Sequence, residues 1–99
     1  MVFTAEGRID FQTAYGKTIS GVAQLAKKHK VPVIAIAGTV DSGLAELYAQ
    51  GITAVFAIAN QPMSLEESKV RASELLADTA EQIMRTMIGV INLSNAIMP

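Results

Sequence analysis

Three ionisable residues near the amino terminus, Glu6, Arg8 and Asp10, alternate along the chain. In an extended backbone, successive side chains point to opposite faces, so these three project the same way. An arginine between two carboxylates supports three kinds of chemistry: holding Mg²⁺, accepting a hydroxyl proton, or forming a plain ion pair. On the residues alone the ion pair is the simplest of these. A second group follows at Gly16-Lys17-Thr18, where a helix is expected to begin. Unpaired N–H groups and the helix dipole favour an anion there, so the segment fits a phosphate-handling loop. It is not a P-loop, because that motif needs a glycine five positions before Gly16 and the residue there is Phe11. The plainer alternative is that Thr18 caps the helix and Lys17 is solvated. Gly38 to Gly43 and Asn60 to Ser64 also contain glycine, hydroxyl and carboxyl groups, and read first as turns ending in helix caps. The lone His29, among Lys27, Lys28 and Lys30, fits a helix terminus better than a catalytic centre.

These groups need elements to position them. Pro32 to Ala37 and Ala54 to Ala59 are short, continuously apolar runs bounded by Gly or Asn, the pattern of strands buried on both faces of a parallel sheet. Val2-Phe3-Thr4 reads as the end of another strand, most of which is expected upstream. Thr18 to Lys30 places Ile19, Val22, Ala23, Leu25 and Ala26 at helical spacing, and Val31-Pro32 forces an exit. Ser42 to Gln50 forms a short helix that Gly51 stops. Ser64 followed by Leu65-Glu66-Glu67 matches a capping box and opens a long helix. Its apolar stripe includes Leu65, Ala72, Leu75, Leu76, Ile83, Met84, Met87 and Ile88, and Glu67/Arg71 and Glu81/Arg85 form four-residue ion pairs on its wet face. Gly89 is a candidate end for that helix. Residues 89–99 have no clear period, with Met98 among the methionines expected to fill core or interface.

The order strand, helix, strand, short helix, strand, long helix predicts a three-layer, Rossmann-like α/β arrangement: a parallel sheet of about three strands flanked by helices. Ligands in such sheets collect beyond the carboxyl ends of the strands, which makes the segment from Ala5 to Lys17 the richest candidate. A sheet this small leaves two open edges. Apolar residues form 51% of the 99-residue chain while aromatics form 5%, so the core is aliphatic and larger than one small domain easily hides. Both facts lead us to expect part of a larger domain, or a homo-oligomer.

A formal charge of −1 disfavours nucleic acid as a partner. No apolar run approaches the roughly 20 residues of a membrane helix, so no membrane partner is expected. With no cysteine and one histidine, thiolate nucleophiles, disulfides and Cys/His metal clusters are excluded, and the cytoplasm is the expected compartment.

Ala5-Glu6-Gly7-Arg8-Ile9-Asp10, Gln12-Thr13-Ala14-Tyr15-Gly16-Lys17-Thr18, Gly21-Val22-Ala23 and the run from Val31 to Gly38 resemble the carboxyl-terminal section of bacterial glycerate kinases of the type-1 family. The resemblance continues through Gly51 to Phe56, Pro62 to Glu67 and Ala80-Glu81-Gln82. It implies that residues 1–88 are the last part of a kinase α/β domain, with 89–99 a tail that matches nothing in the family. It further implies ATP and Mg²⁺ as cofactors, D-glycerate as substrate and a phosphoglycerate as product. By resemblance Glu6, Gly7, Arg8, Gln12 and Thr18 are expected to bind substrate or phosphate, and Asp10 and Lys17 to be catalytic. Lys17 and Arg8 would meet phosphate or the glycerate carboxylate, and Glu6 or Asp10 would meet Mg²⁺ or the attacking hydroxyl. The piece alone is expected to be inactive. The competing reading is a non-catalytic α/β oligomerisation module, a remnant of the enzyme.

Overall fold

The computed structural model describes residues 1–97; Met98, one of the predicted packing methionines, lies outside the described residues. Three parallel strands, β1 (Val2–Ile9), β2 (Val33–Val40) and β3 (Ala54–Ala57), form one sheet in the order β1-β2-β3. A 3₁₀ turn over Phe11–Tyr15 and α1 (Thr18–Lys28) connect β1 to β2, α2 (Ala45–Gln50) connects β2 to β3, and α3 (Leu65–Val70) and α4 (Ala72–Ile97) follow. The α/β layering read from the sequence holds, with helices packed on both faces of the sheet.

β2 is the central strand and has paired neighbours on both sides. That explains its uninterrupted aliphatic run, because Val33, Ala35 and Ala37 point into one layer of core and Ile34 and Ile36 into the other. The first layer is the fuller. Ile19, Ala23 and Ala26 of α1, Leu47 of α2, and Ile9 and Ile52 close over the odd-numbered side chains of β2. Lys27 Nζ donates to Ala49 O at 2.8 Å and ties α1 to the end of α2. Gly51 stops α2 at φ 124°, where only glycine is at ease, and a side chain there would run into the Ala23 carbonyl.

The second layer holds Ile34, Ile36, Ile58, Leu75 and Ile83 under α4. β3 on the sheet edge is only half-buried, against the expectation of a strand covered on both faces, because among the described residues no fourth strand lies beside it. Leu65, Leu76, Met84 and Ile88, all placed in the apolar stripe, remain exposed, and the packing is carried by Leu75 and Ile83.

Five local readings change. β1 does not end at Thr4 but runs on through Glu6-Gly7-Arg8 to Ile9, so the segment Ala5 to Ile9 is strand instead of loop. The close pairing depends on Gly38, since a side chain there would come within 2.9 Å of the carbonyl oxygen of residue 7. Thr18 is the first residue of α1 and not its cap; Lys17 takes that position in helical conformation with no side-chain capping bond. Ser42 and Asp41 leave α2 uncapped, its boundary residue being Leu44. Gly89 does not end the last helix: α4 carries on to Ile97, because glycine inside a helix costs only about 1 kcal/mol and helix formers surround it. Ser64 does cap α3, accepting from Glu67 N at 3.1 Å, but the long helix is interrupted at Arg71 (φ −93°, ψ 9°).

Candidate active site

The carboxyl ends of β1 and β2 carry the chemistry. On β1, Glu6 and Arg8 project toward the layer of α1, as their alternation requires, while Gly7 faces α4. The chain then turns at Asp10. Asp10 Oδ1 accepts from Gln12 N at 2.9 Å and Thr13 Oγ1 accepts from Asp10 N at 3.0 Å, a reciprocal cap that starts the 3₁₀ turn. Gly16 closes the turn by donating to Thr13 O at 3.1 Å, and Lys17 and Thr18 open α1.

These segments enclose a hollow of about 200 Å³ lined by Glu6, Arg8, Thr13, Gly16, Lys17 and Thr18. Of the residues expected from the sequence, Glu6, Arg8, Lys17 and Thr18 therefore meet in one place. Asp10 stands beside it as the cap. Gln12 is exposed on the 3₁₀ turn and takes part through its backbone N–H. Gly7 looks onto the opposite face of the sheet.

The two cations of the hollow are not equivalent. Arg8 is clamped between carboxylates, with Nη2 donating to Asp41 Oδ2 at 2.5 Å and Nε 3.4 Å from Asp10 Oδ2. The hydrogen bond to Asp41 holds the guanidinium above its already high ordinary range, so Arg8 is a fixed cation. The simple ion-pair reading of Arg8 is thus realised, chiefly with a residue the sequence did not single out as its partner. Asp41 was visible there only as a helix cap. What places it is strand register, Ile9 pairing with Val40, which brings the residues after both strands together. Lys17 enters none of the ion pairs found among the described residues, and it sits where the first-turn N–H groups of an eleven-residue helix point. An anion entering the hollow meets a lysine held by no carboxylate, a helix terminus and an arginine locked in position.

No group of three or more carboxylate, histidine or cysteine side chains that could enclose a metal occurs among the described residues. Asp10 and Asp41 already hold Arg8, which leaves Glu6 as the carboxylate in the hollow with no ion-pair partner. That donor set fits Mg²⁺ only in its usual phosphate-bound form, with one or two carboxylates and the remaining positions filled by phosphate oxygens and water.

The family model for the glycerate kinase family matches residues 1–88. The chain belongs to the glycerate kinase family. It is 48% identical over 82 residues to a glycerate kinase of Halalkalibacterium halodurans, covering 83% of this chain and 22% of that one. Against a Bacillus subtilis glycerate kinase the identity is 45% over 83 residues, 84% of this chain and 22% of the relative. Against the glycerate 2-kinase of Escherichia coli it is 38% over 93 residues, 93% of this chain and 24% of the relative. The chain thus spans less than a quarter of the length of these curated relatives. No solved structure matches it. Within the described residues no helix is long and apolar enough to cross a membrane.

Proposed function

We propose that this glycerate kinase segment supplies one wall of a phosphoryl-transfer cleft, and that the whole enzyme moves the γ-phosphoryl group of ATP to a hydroxyl of D-glycerate. The observation that carries this reading is the convergence of Lys17, Arg8 and the start of α1 on one hollow at the carboxyl edge of the sheet. In the reaction a bond forms between the glycerate oxygen and the γ-phosphorus while the bond from phosphorus to the β,γ-bridging oxygen breaks. ADP leaves, and the hydroxyl proton passes to a base. Catalysis of this kind is positioning and charge stabilisation. Lys17 neutralises charge on the transferring phosphate, and Arg8, oriented by Asp41 and Asp10, fixes a second anionic group such as the glycerate carboxylate. Glu6 is the residue placed to take the hydroxyl proton or to hold phosphate-bound Mg²⁺, which would supply further charge neutralisation. Asp10 acts through Arg8 and the 3₁₀ turn, and Gln12 and Thr18 shape the rim. The Cys-free sequence supports the cytoplasm as the compartment, where ATP is at hand.

A single wall does not complete a cleft, so the 99-residue chain by itself should have no turnover. A second reading, a non-catalytic module that associates with a copy of itself, is favoured by one observation: the exposed apolar residues Leu76, Met84 and Ile88 along α4. The two separate cleanly. When this chain replaces the corresponding carboxyl-terminal section of the Bacillus subtilis glycerate kinase, the hybrid should consume ATP in the presence of D-glycerate. A folded hybrid with no turnover, together with concentration-dependent dimers of the isolated chain, would favour the module.

A further inference from the structure

The 3₁₀ turn over Phe11–Tyr15 does not run on into α1. Gly16 N donates to Thr13 O at 3.1 Å, but the next bond of that ladder, from Lys17 N to Ala14 O, is not formed among the described residues. A side chain takes the carbonyl instead: Gln50 Nε2, at the end of α2, donates to Ala14 O at 2.8 Å. The bond joins positions 36 apart in sequence, and the neighbouring Ala49 O accepts from Lys27 of α1. The last two residues of α2 thus hold the 3₁₀ turn on one side and α1 on the other, the two segments between which the hollow lies.

Gln50 is half-buried, and its Oε1 is buried with no hydrogen-bond partner. Packing does not ask for that oxygen, since a buried acceptor left unpaired costs stability and a methionine would fill the same length without one. The reverse orientation of the amide would set oxygen against the Ala14 carbonyl. What the position uses is the N–H donor. Resting on the kinase reading above, we propose that Gln50 is a positioning residue for phosphoryl transfer: by taking the Ala14 carbonyl it ends the turn at Gly16 and leaves Lys17, with its ammonium and its unbonded backbone N–H, in the hollow. A continued ladder would tie the Lys17 N–H to Ala14 O and withdraw it from an entering anion. Arg8 lies outside this control, because Asp41 holds it from the end of β2. Gln50 therefore acts on what Lys17 serves, charge on the transferring phosphate, and not on the group that Arg8 fixes.

The test has two arms. In the 99-residue chain, Gln50→Met should speed amide hydrogen exchange at Gly16 at least fivefold and leave Ala23 and Ala26 of α1 unchanged. In the hybrid kinase the same substitution should lower kcat at least tenfold and leave KM for D-glycerate within twofold, a split that general loss of structure does not produce. Gln50→Glu keeps the shape but has no proton to give Ala14 at pH 8; it should show the same split, and it keeps the test open should Gln50→Met fail to fold. Unchanged exchange at Gly16, unchanged kcat in both variants, or kcat and KM moving together overturns the proposal, and so does loss of the fold in both variants, while turnover by the parent hybrid leaves the kinase reading standing. A parent hybrid without turnover refutes the kinase reading, and the role of Gln50 in phosphoryl transfer with it.

Discussion

The two faces of the sheet are finished to different degrees. On the side of α1 and α2, buried side chains from every neighbouring element interlock and the helices are tied to one another. On the side of α4 the buried set is smaller, and Phe3 at the β1 edge, Phe56 at the β3 edge and Leu76 and Met84 on the helix keep large apolar areas in contact with solvent. Stability therefore resides mainly on the first face. The second has surface to spare for a ligand or for further protein, as expected of a segment that spans 22% of a Bacillus glycerate kinase.

Identical truncations on the two faces should give the largest contrast. Leu47 is 1% exposed and Leu76 41% exposed. Leu47→Ala should cost about 3 kcal/mol by chemical denaturation, the usual cost of a cavity in a packed core. Leu76→Ala should cost less than about 1 kcal/mol, since little area leaves contact. Equal losses would erase the distinction. Gly51→Ala sharpens it from the backbone side: at φ 124°, with the Ala23 carbonyl in the way, it should cost about 2 kcal/mol and loosen α1 from α2. Ser64→Ala removes the cap of α3 on the open face and should cost about 1 kcal/mol, with the loss of helicity confined to Leu65–Val70. Smallest of all is Arg8→Ala, which should leave the melting temperature unchanged within error, because its ion pairs are solvent-exposed. Its effect belongs to the hybrid enzyme, as a loss of substrate affinity.

Much of this architecture was legible in the sequence. β2 and β3 declare themselves as aliphatic runs, α1 and α4 by their periodicity, and α2 by the glycine that ends it. β1 declares only its first residues, Val2 to Thr4, because its second half, with Glu6, Gly7 and Arg8, carries no apolar signature. The interruption at Arg71 has no proline or glycine to announce it. In the candidate site, alternation correctly put Glu6 and Arg8 on one face. Asp41 escaped notice as the partner of Arg8 because the parallel register that delivers it joins residues more than thirty positions apart. The cap of α1 differs from the sequence reading because Lys17, one residue before the expected Thr18, occupies the boundary in helical conformation with no side-chain capping bond.

The most direct test of the central claim compares two lysines in the hybrid kinase. Lys17 lies in the hollow at the carboxyl edge, and Lys28 lies at the far end of the same helix. The account predicts that Lys17→Ala lowers kcat/KM for ATP-dependent phosphorylation of D-glycerate at least 100-fold, about 2.7 kcal/mol of transition-state stabilisation, whereas Lys28→Ala changes it less than twofold. Equal effects from the two substitutions, or full activity without Lys17, would contradict it.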